Sequence, residues 1–158
     1  MWLSKSFCVV VTLIVAASAT AQPPEKWLIT PAEKLESDRI EHARGGTKSI
    51  DIAPPTASDP AIELIAPKPG EPLVSPVDIE FRFTTAKPAY IDPASVRVLY
   101  GFANVDITSR LREWGALINQ DGLSLSKAPL QPGSYRFDIE VQNSLGKKTR
   151  RTVRATIK

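Results

Sequence analysis

A single cysteine, a single histidine and a single methionine occur in the 158 residues, and their scarcity excludes several kinds of site. Cys8 lies in an N-terminal segment that we expect to be removed, so the mature chain would have no thiol, no disulfide and no cysteine-ligated metal. His42 has no histidine, cysteine or fixed carboxylate cluster around it, which is typical of a polar surface residue rather than a metal ligand or a catalytic base. The sequence therefore predicts no catalytic residues, no metal, no cofactor and no enzymatic activity.

The longest apolar run lies in a predicted signal peptide, residues 1–21. Lys5 is followed by the apolar residues 7–17, which are too few to span a bilayer comfortably, and small residues stand at positions 19 and 21. We expect cleavage before Gln22, export of a bacterial protein to the periplasm or the extracellular space, and no transmembrane span after processing. An uncleaved membrane anchor is the alternative.

Residues 22–60 are rich in proline and charge, with five bases and seven acids. This composition predicts a flexible, acidic and mostly disordered linker, because little apolar surface is available to offset the entropy of ordering. Thr30 and Glu33 form a helix-start pattern, so a short helix over 31–44 is expected. Its apolar face is poor, and we expect it to dock only when a partner binds. Residues 27–29 (Trp-Leu-Ile) either pack onto the folded domain, which we favour, or form a partner-binding peptide.

Two stretches of residues 61–158 alternate between apolar and polar side chains with the period of a half-buried β-strand. Residues 77–83 have apolar side chains at odd positions, and residues 134–142 do the same. A further strand follows residues 144–146, so the end of the chain predicts a β-hairpin. We expect eight apolar residues to be buried in the core: Ile79, Phe81, Val98, Tyr135, Phe137, Ile139, Val141 and Val153.

The hairpin register follows from its loop and from the matching of like side chains. A three-residue loop with Gly146 in the left-handed region fixes the first pair, and a slip of one residue would bury charge. Arg151 shares the parity of the core residues, so we expect it beyond the packed centre or turned out by a bulge. The expected pairs are Asn143 with Lys147, Val141 with Thr149, Glu140 with Arg150, Phe137 with Val153 and Tyr135 with Ala155.

Shorter strand candidates lie at residues 61–66, 95–100, 104–108 and 122–126, which gives about seven strands. Residues 109–118 fit either a short helix or an irregular crossover. Seven short strands separated by turn signals are typical of an all-β fold, a single antiparallel β-sandwich.

Several stretches resemble bacterial immunoglobulin-like and fibronectin-type-III-like domains of exported proteins. Residues 130–135 (Leu-Gln-Pro-Gly-Ser-Tyr) and 143–146 (Asn-Ser-Leu-Gly) resemble their closing hairpin. Residues 62–67 (Ile-Glu-Leu-Ile-Ala-Pro) and 91–96 (Ile-Asp-Pro-Ala-Ser-Val) are similar to their earlier strands. The resemblance implies one immunoglobulin-like β-sandwich domain over residues 61–158. It implies no particular function, because sandwiches of this kind have many roles.

Positive charge is concentrated at the C-terminal end, where no acid follows Glu140. These bases form either a solvated, partly ion-paired face or a site for an anionic partner such as a cell-envelope polyanion. Trp114 is expected either to cap the sandwich core, which we favour, or to stack on a sugar or a protein partner. Arginines beside it would suit an anionic sugar or a peptide carboxylate. The candidate binding residues are Trp114, Arg110, Arg112, Lys147, Lys148, Arg150 and Arg154.

These patterns favour a non-enzymatic protein-interaction or structural module of the bacterial cell envelope. The alternative is a module that binds carbohydrate or a polyanion through Trp114 and the basic C-terminal strand. The expected partner is therefore an envelope protein or an anionic or neutral glycan, and no nucleic-acid partner is expected.

The signal-peptide prediction can be checked on exported material. If residues 1–21 are removed, mass spectrometry of the exported protein should give an N-terminus at Gln22. A product that retains Met1 would show that the segment is not a cleaved signal peptide.

Overall fold

The structure is a computed structural model that describes residues 27–43, 60–68 and 72–158. The predicted signal peptide and its cleavage site lie outside the described residues, as do residues 22–26 and 44–59 of the predicted linker. The described part contains two α-helices, eight β-strands and a short 3-10 helix at Pro93–Ser95. The helices are α1 (Pro31–Ala43) and α2 (Thr108–Glu113), and the strands are β1 (Ala61–Ala66), β2 (Val77–Thr84), β3 (Arg97–Tyr100), β4 (Val105–Asp106), β5 (Leu117–Ile118), β6 (Gly122–Ala128), β7 (Gly133–Gln142) and β8 (Lys148–Ile157).

The strands form two antiparallel four-stranded sheets that share one apolar core. One sheet has the order β1-β2-β6-β5, and the other has the order β4-β3-β7-β8. Phe81 and Leu123 of the first sheet belong to the same buried cluster as Val98 and Ile139 of the second. The mostly-β, sandwich-like architecture predicted from the alternating pattern is thereby confirmed.

The hairpin of β7 and β8 has the predicted register. All five expected pairs are present. Phe137 lies opposite Val153, and the Asn143 N–H donates to the Lys147 carbonyl at 2.9 Å. Gly146 has a φ of 79°, the left-handed conformation that the three-residue loop requires. The prediction succeeded because only this register leaves the apolar side chains of both strands on one face.

Arg151 is not turned out by a bulge. The pairing of β7 with β8 continues through it, with Arg151 opposite Ile139. Its Nη1 donates to the Ile62 carbonyl of β1, so the side chain crosses from one sheet to the other. A long cationic side chain can hold this position, because its stem covers apolar surface while its head reaches a polar partner.

Five of the eight residues expected in the core are buried, and three are half-buried. The half-buried residues pack against the core, and each of them lines one cavity between the sheets. Their facing was therefore predicted correctly, whereas their full burial was not, because the sheets leave space between them there. The buried residues are Phe81, Val98, Tyr135, Ile139 and Val141, and the half-buried ones are Ile79, Phe137 and Val153.

The sequence did not decide between a short helix and an irregular crossover for residues 109–118. The structure has both a helix and a strand there. Helix α2 begins at Thr108, whose N–H donates to the Asp106 carboxylate at 2.9 Å. Strand β5 then pairs with β6. The sequence did not predict β5, because a strand of two residues is too short to show a period.

The segment from Trp27 to Ala43 packs on the sandwich, contrary to the expectation of a linker whose helix docks only with a partner. Leu28 and Ile29 are buried in the core, which is the arrangement that we favoured for these residues. The Leu28 N–H donates to the Pro129 carbonyl at 3.1 Å. The segment therefore contributes to the same hydrophobic core as the strands.

Helix α1 docks through polar side chains. Ser37 is buried against Gly101, where an added Cβ would lie 2.6 Å from the Ser37 hydroxyl oxygen. Lys34 Nζ donates to the Ser134 carbonyl at 3.3 Å and lies 5.0 Å from the centre of the Tyr135 ring. Contacts of this kind leave no apolar stripe along a helix, so the weak apolar face of α1 did not indicate docking.

Leu28→Ala should lower the free energy of unfolding by about 2–5 kcal/mol, because the leucine is 0 % exposed and its loss would enlarge a cavity. Urea denaturation of the protein measures this difference. Leu35→Ala is the matched control, since Leu35 is 72 % exposed on the neighbouring helix and should cost less than about 0.5 kcal/mol. Equal, small effects of both replacements would show that the segment is detached in solution.

Candidate functional site

Arg110, one of the candidate binding residues, holds the N-terminal segment against the domain. It lies on α2, and its two Nη atoms each lie 2.8 Å from a carboxylate oxygen of Glu33. Nη1 also donates to the Leu28 carbonyl at 2.9 Å. Two parallel hydrogen bonds of this kind use the planar fork of the guanidinium fully. Arg110 is thus engaged inside the protein, where the sequence had suggested a ligand-facing side chain.

Glu33 also caps the N-terminus of helix α1. Its Oε2 accepts the Thr30 backbone N–H at 2.9 Å, and its own N–H donates to the Thr30 hydroxyl oxygen at 3.3 Å, which together form a capping box. The hydrogen bond from Arg110 lowers the pKa of Glu33 from 4.5 to about 2, with a further contribution from Thr30 and partial opposition from burial. Glu33 therefore stays charged at all but strongly acid pH.

Trp114 and Arg112 lie close together in sequence but in different surroundings. Trp114 follows the last residue of α2, is half-buried and packs against the core. The backbone N–H of Trp114 donates to the Arg110 carbonyl at 3.1 Å. Packing against the core is the arrangement expected of a residue that caps the sandwich. Arg112 is exposed on α2.

The charge of Arg150 is balanced by two acids of the neighbouring strand. Arg150 Nη2 lies 2.7 Å from Asp138 Oδ2, and its Nη1 lies 3.3 Å from Glu140 Oε1. Asp138 is only 1 % exposed, because Arg136, Arg150 and Thr152 surround its carboxylate. This compact ion cluster leaves little net charge at this point of the basic strand.

The remaining basic candidates lie towards opposite ends of β8. Lys147 and Lys148 are exposed at the hairpin loop, and Lys148 lies opposite Gln142. Arg154 lies opposite Arg136, six residues further along the strand. Six residues of extended chain span roughly 20 Å. The structure therefore does not bring the seven candidate residues together into one surface.

Two loops meet beside Lys147, and we call the surface that they form the loop end: residues 85–92, which follow β2, and residues 143–148 of the hairpin. The Ser144 N–H donates to the Tyr90 carbonyl at 2.8 Å, and the Tyr90 N–H donates to the Ser144 hydroxyl oxygen at 3.3 Å. These hydrogen bonds join the two loops directly and hold them in one relative position.

Asn143 also joins the two loops of the loop end to each other. The residue is buried, and its side-chain Nδ2 donates to the Thr85 hydroxyl oxygen at 3.2 Å. Its Oδ1 accepts the N–H groups of Leu145 and Lys147, at 3.1 and 3.0 Å. A buried amide with these partners fixes the loop conformation before any ligand binds.

Tyr90 and Leu145 are the large apolar side chains that the loop end exposes, with 56 % and 65 % of their surface accessible. Sequence reasoning missed both of them. The signal that could have found Tyr90 is local alternation, because Ala89 and Ile91 on either side of it are buried. Leu145 carries no such signal, since it lies in a three-residue turn.

Acidic groups in the described ranges are scattered or paired with bases, and no three or more His, Cys, Asp or Glu residues there are grouped so that they could hold a metal ion. Of the helices that the structure describes, none is long and apolar enough to cross a membrane.

Glu33→Gln should lower the free energy of unfolding at pH 7, because Arg110 would lose its carboxylate partner. The pKa of Glu33 is lower in the folded protein, so its stabilisation is present above about pH 4.5 and lost as the pH falls towards 2. The contribution is at most about 3 kcal/mol. Urea denaturation at a series of pH values should therefore show a difference between variant and wild type that disappears near pH 2.

Glu36→Gln is the control for that experiment, since Glu36 lies on the same helix in an exposed pair with Arg39. Exposed pairs contribute about 0–1 kcal/mol. A difference between Glu33→Gln and wild type that does not change with pH would contradict the assigned role of the Glu33 carboxylate.

No family model matches the sequence, and neither a curated protein nor a solved structure matches the chain. The functional assignment therefore rests on the geometry of the described residues.

Proposed function

We propose that the chain is an exported, immunoglobulin-like module that binds a protein of the cell envelope through the loop end, and that it is not an enzyme. The strand order supports the fold assignment. With the strands lettered along the chain, β1-β2-β6-β5 corresponds to A-B-E-D, and β3-β7-β8 corresponds to C-F-G with β4 beside strand C. That distribution of strands over two sheets is typical of immunoglobulin-like sandwiches.

Tyr135 gives the fold assignment a second support. It lies near the start of β7, which is strand F in that lettering, and its hydroxyl donates to the Gln131 carbonyl at 2.8 Å. A tyrosine at this corner that bonds back to the backbone a few residues upstream is a hallmark of immunoglobulin-like domains. Export is supported separately, by the signal-peptide pattern of residues 1–21.

The exposure of Tyr90 and Leu145 on two linked loops is the observation that carries the binding proposal. A tyrosine supplies a large contact area while losing little conformational freedom, and such residues often dominate the energy of protein interfaces. Loops that are already ordered lose less entropy on binding. In immunoglobulin-like domains these are the B–C and F–G loops, which carry the binding residues of antibody variable domains.

The charges of the loop end indicate the chemistry of the partner. Lys87 is exposed on the same loop as Tyr90, and Lys147 and Lys148 are exposed shortly after Leu145. Asp92, an acid of the same loops, accepts the Ala94 N–H at 2.9 Å and so caps the 3-10 helix. The surface is therefore positive around an apolar centre, which favours an acidic protein surface with an apolar depression.

A glycan or polyanion is the second candidate partner, and the exposure of Lys147 and Lys148 favours it. The two candidates differ in their response to salt. Contacts between exposed charges weaken as ionic strength rises, because they are screened over about 8 Å at physiological salt. An interface centred on Tyr90 and Leu145 would keep its apolar contribution under the same conditions.

Tyr90→Ala and Leu145→Ala should each weaken binding of the envelope partner about tenfold or more, as expected for residues at the centre of an interface. Affinity capture from an envelope extract identifies the partner, and calorimetry with that purified partner measures the change. Leu117→Ala is the matched control, because this leucine is 70 % exposed on β5 in the other sheet and its loss should leave binding unchanged.

A captured partner that binds both loop-end variants as well as wild type would contradict the proposal. Equal weakening by Leu117→Ala would contradict it too, since the effect would then not be specific to the loop end. Binding that is abolished by Lys147→Gln with Lys148→Gln, lost at high salt and unaffected by Tyr90→Ala would establish the polyanion alternative.

A further inference from the structure

A cavity of about 680 Å³ lies between the two sheets, on the side where β1 and β8 approach each other. Half-buried side chains form its accessible apolar wall: Leu64 and Ile79 of one sheet, and Phe137 and Val153 of the other. Protein interiors rarely contain voids much larger than a water molecule. A volume of this size falls instead within the range of roughly 300–1,000 Å³ that is typical of ligand-binding pockets.

Positive side chains lie on the solvent side of this cavity. Lys68, Arg151 and Lys158 are exposed and line it, and the described lining residues include no aspartate or glutamate. Arg151 reaches from β8 to the Ile62 carbonyl of β1, and the Lys158 N–H donates to the Leu73 carbonyl at 2.8 Å. The cavity therefore combines an apolar interior with a cationic rim.

This combination selects among ligand classes. A sugar or a nucleotide would bury polar groups against a wall that cannot form hydrogen bonds with them, which is costly. A hydrocarbon chain suits the wall, and each buried methylene strengthens binding about fourfold. A carboxylate at the end of such a chain would stay at the rim, where the planar fork of an arginine matches its two oxygens.

We propose that the cavity binds a long-chain carboxylate, with the hydrocarbon chain between the sheets and the carboxylate at Arg151. This site is distinct from the loop end, because no residue of the loops 85–92 and 143–148 lines the cavity. A small amphiphilic ligand inside the sandwich is a function beyond the proposed protein binding.

Isothermal titration calorimetry with dodecanoate, tetradecanoate and hexadecanoate, each below its aggregation concentration, tests the proposal. One molecule should bind per chain, with an affinity that increases about fourfold for each added methylene until the cavity is full. Dodecan-1-ol has the same chain as dodecanoate without a charge. It should bind at least about tenfold more weakly than dodecanoate.

Two kinds of replacement separate the rim from the interior. Arg151→Gln should weaken dodecanoate binding about tenfold while leaving that of dodecan-1-ol almost unchanged. Val153→Phe should weaken binding of both probes by narrowing the cavity, and Ile79→Phe narrows it from the opposite sheet if the first variant does not fold. Arg112→Gln, which removes an exposed arginine on α2, is the matched control and should bind like wild type.

Several results would overturn the proposal. The absence of binding of all three acids to folded wild-type protein would exclude the ligand class. Equal affinities for dodecanoate and dodecan-1-ol, unchanged in Arg151→Gln, would exclude the role of the rim. Unchanged affinity of both Val153→Phe and Ile79→Phe for the acids would show that the hydrocarbon chain binds outside the cavity.

Other occupants of the cavity would also be recognised. The protein could instead form a dimer, or a complex with an extended apolar peptide, while none of the acids binds. If Val153→Phe disrupted that dimer or complex, a protein segment would occupy the cavity and the proposal would be wrong. Tyr90→Ala should bind hexadecanoate like wild type. Failure of the cavity site is therefore distinguishable from failure of the loop-end proposal.

Discussion

The pairing of β7 with β8 in a single register is the constraint on which both proposed binding surfaces depend. It places Phe137 and Val153 on the inner face, where they line the cavity. It places Glu140 opposite Arg150 on the outer face, where the ion cluster forms. The same register sets the turn that presents Leu145 beside the neighbouring loop. A slip of one residue would exchange the two faces, so the cavity wall and the ion cluster would be lost together.

The hairpin and most of the strands could be predicted from the sequence, because a half-buried sheet imposes a period of two on its side chains. The docking of the N-terminal segment could not. Ser37 fits closely because Gly101 has no side chain, and Arg110 pairs with Glu33 across 77 residues of sequence. Contacts of this kind depend on the path of the chain in three dimensions and leave no periodic trace. The low apolar content of the segment was therefore a poor guide to its docking.

The candidate site could be predicted only in part. The distribution of charge along the sequence located the bases of β8. It could not show that Asp138 of the adjacent strand is buried beside Arg150. Lys147 lies on the loop end, as a surface candidate should, whereas the apolar centre formed by Tyr90 and Leu145 was missed. Single exposed side chains on loops follow no pattern in the sequence, so only the structure reveals that hydrogen bonds bring their loops together.

The two proposed surfaces use one sandwich in different ways, with ordered loops at one end of β8 and a cavity along the inner face of the same strand. Both assignments rely on the inward facing of Phe137 and Val153. Nuclear Overhauser contacts in the folded protein measure this facing directly, because side chains directly opposite on one face of a sheet lie about 5 Å apart. We expect strong contacts between the Phe137 ring and the Val153 methyl groups. Contacts of that ring with the side chains of Thr152 or Arg154 instead would show a slipped register and contradict the central claim.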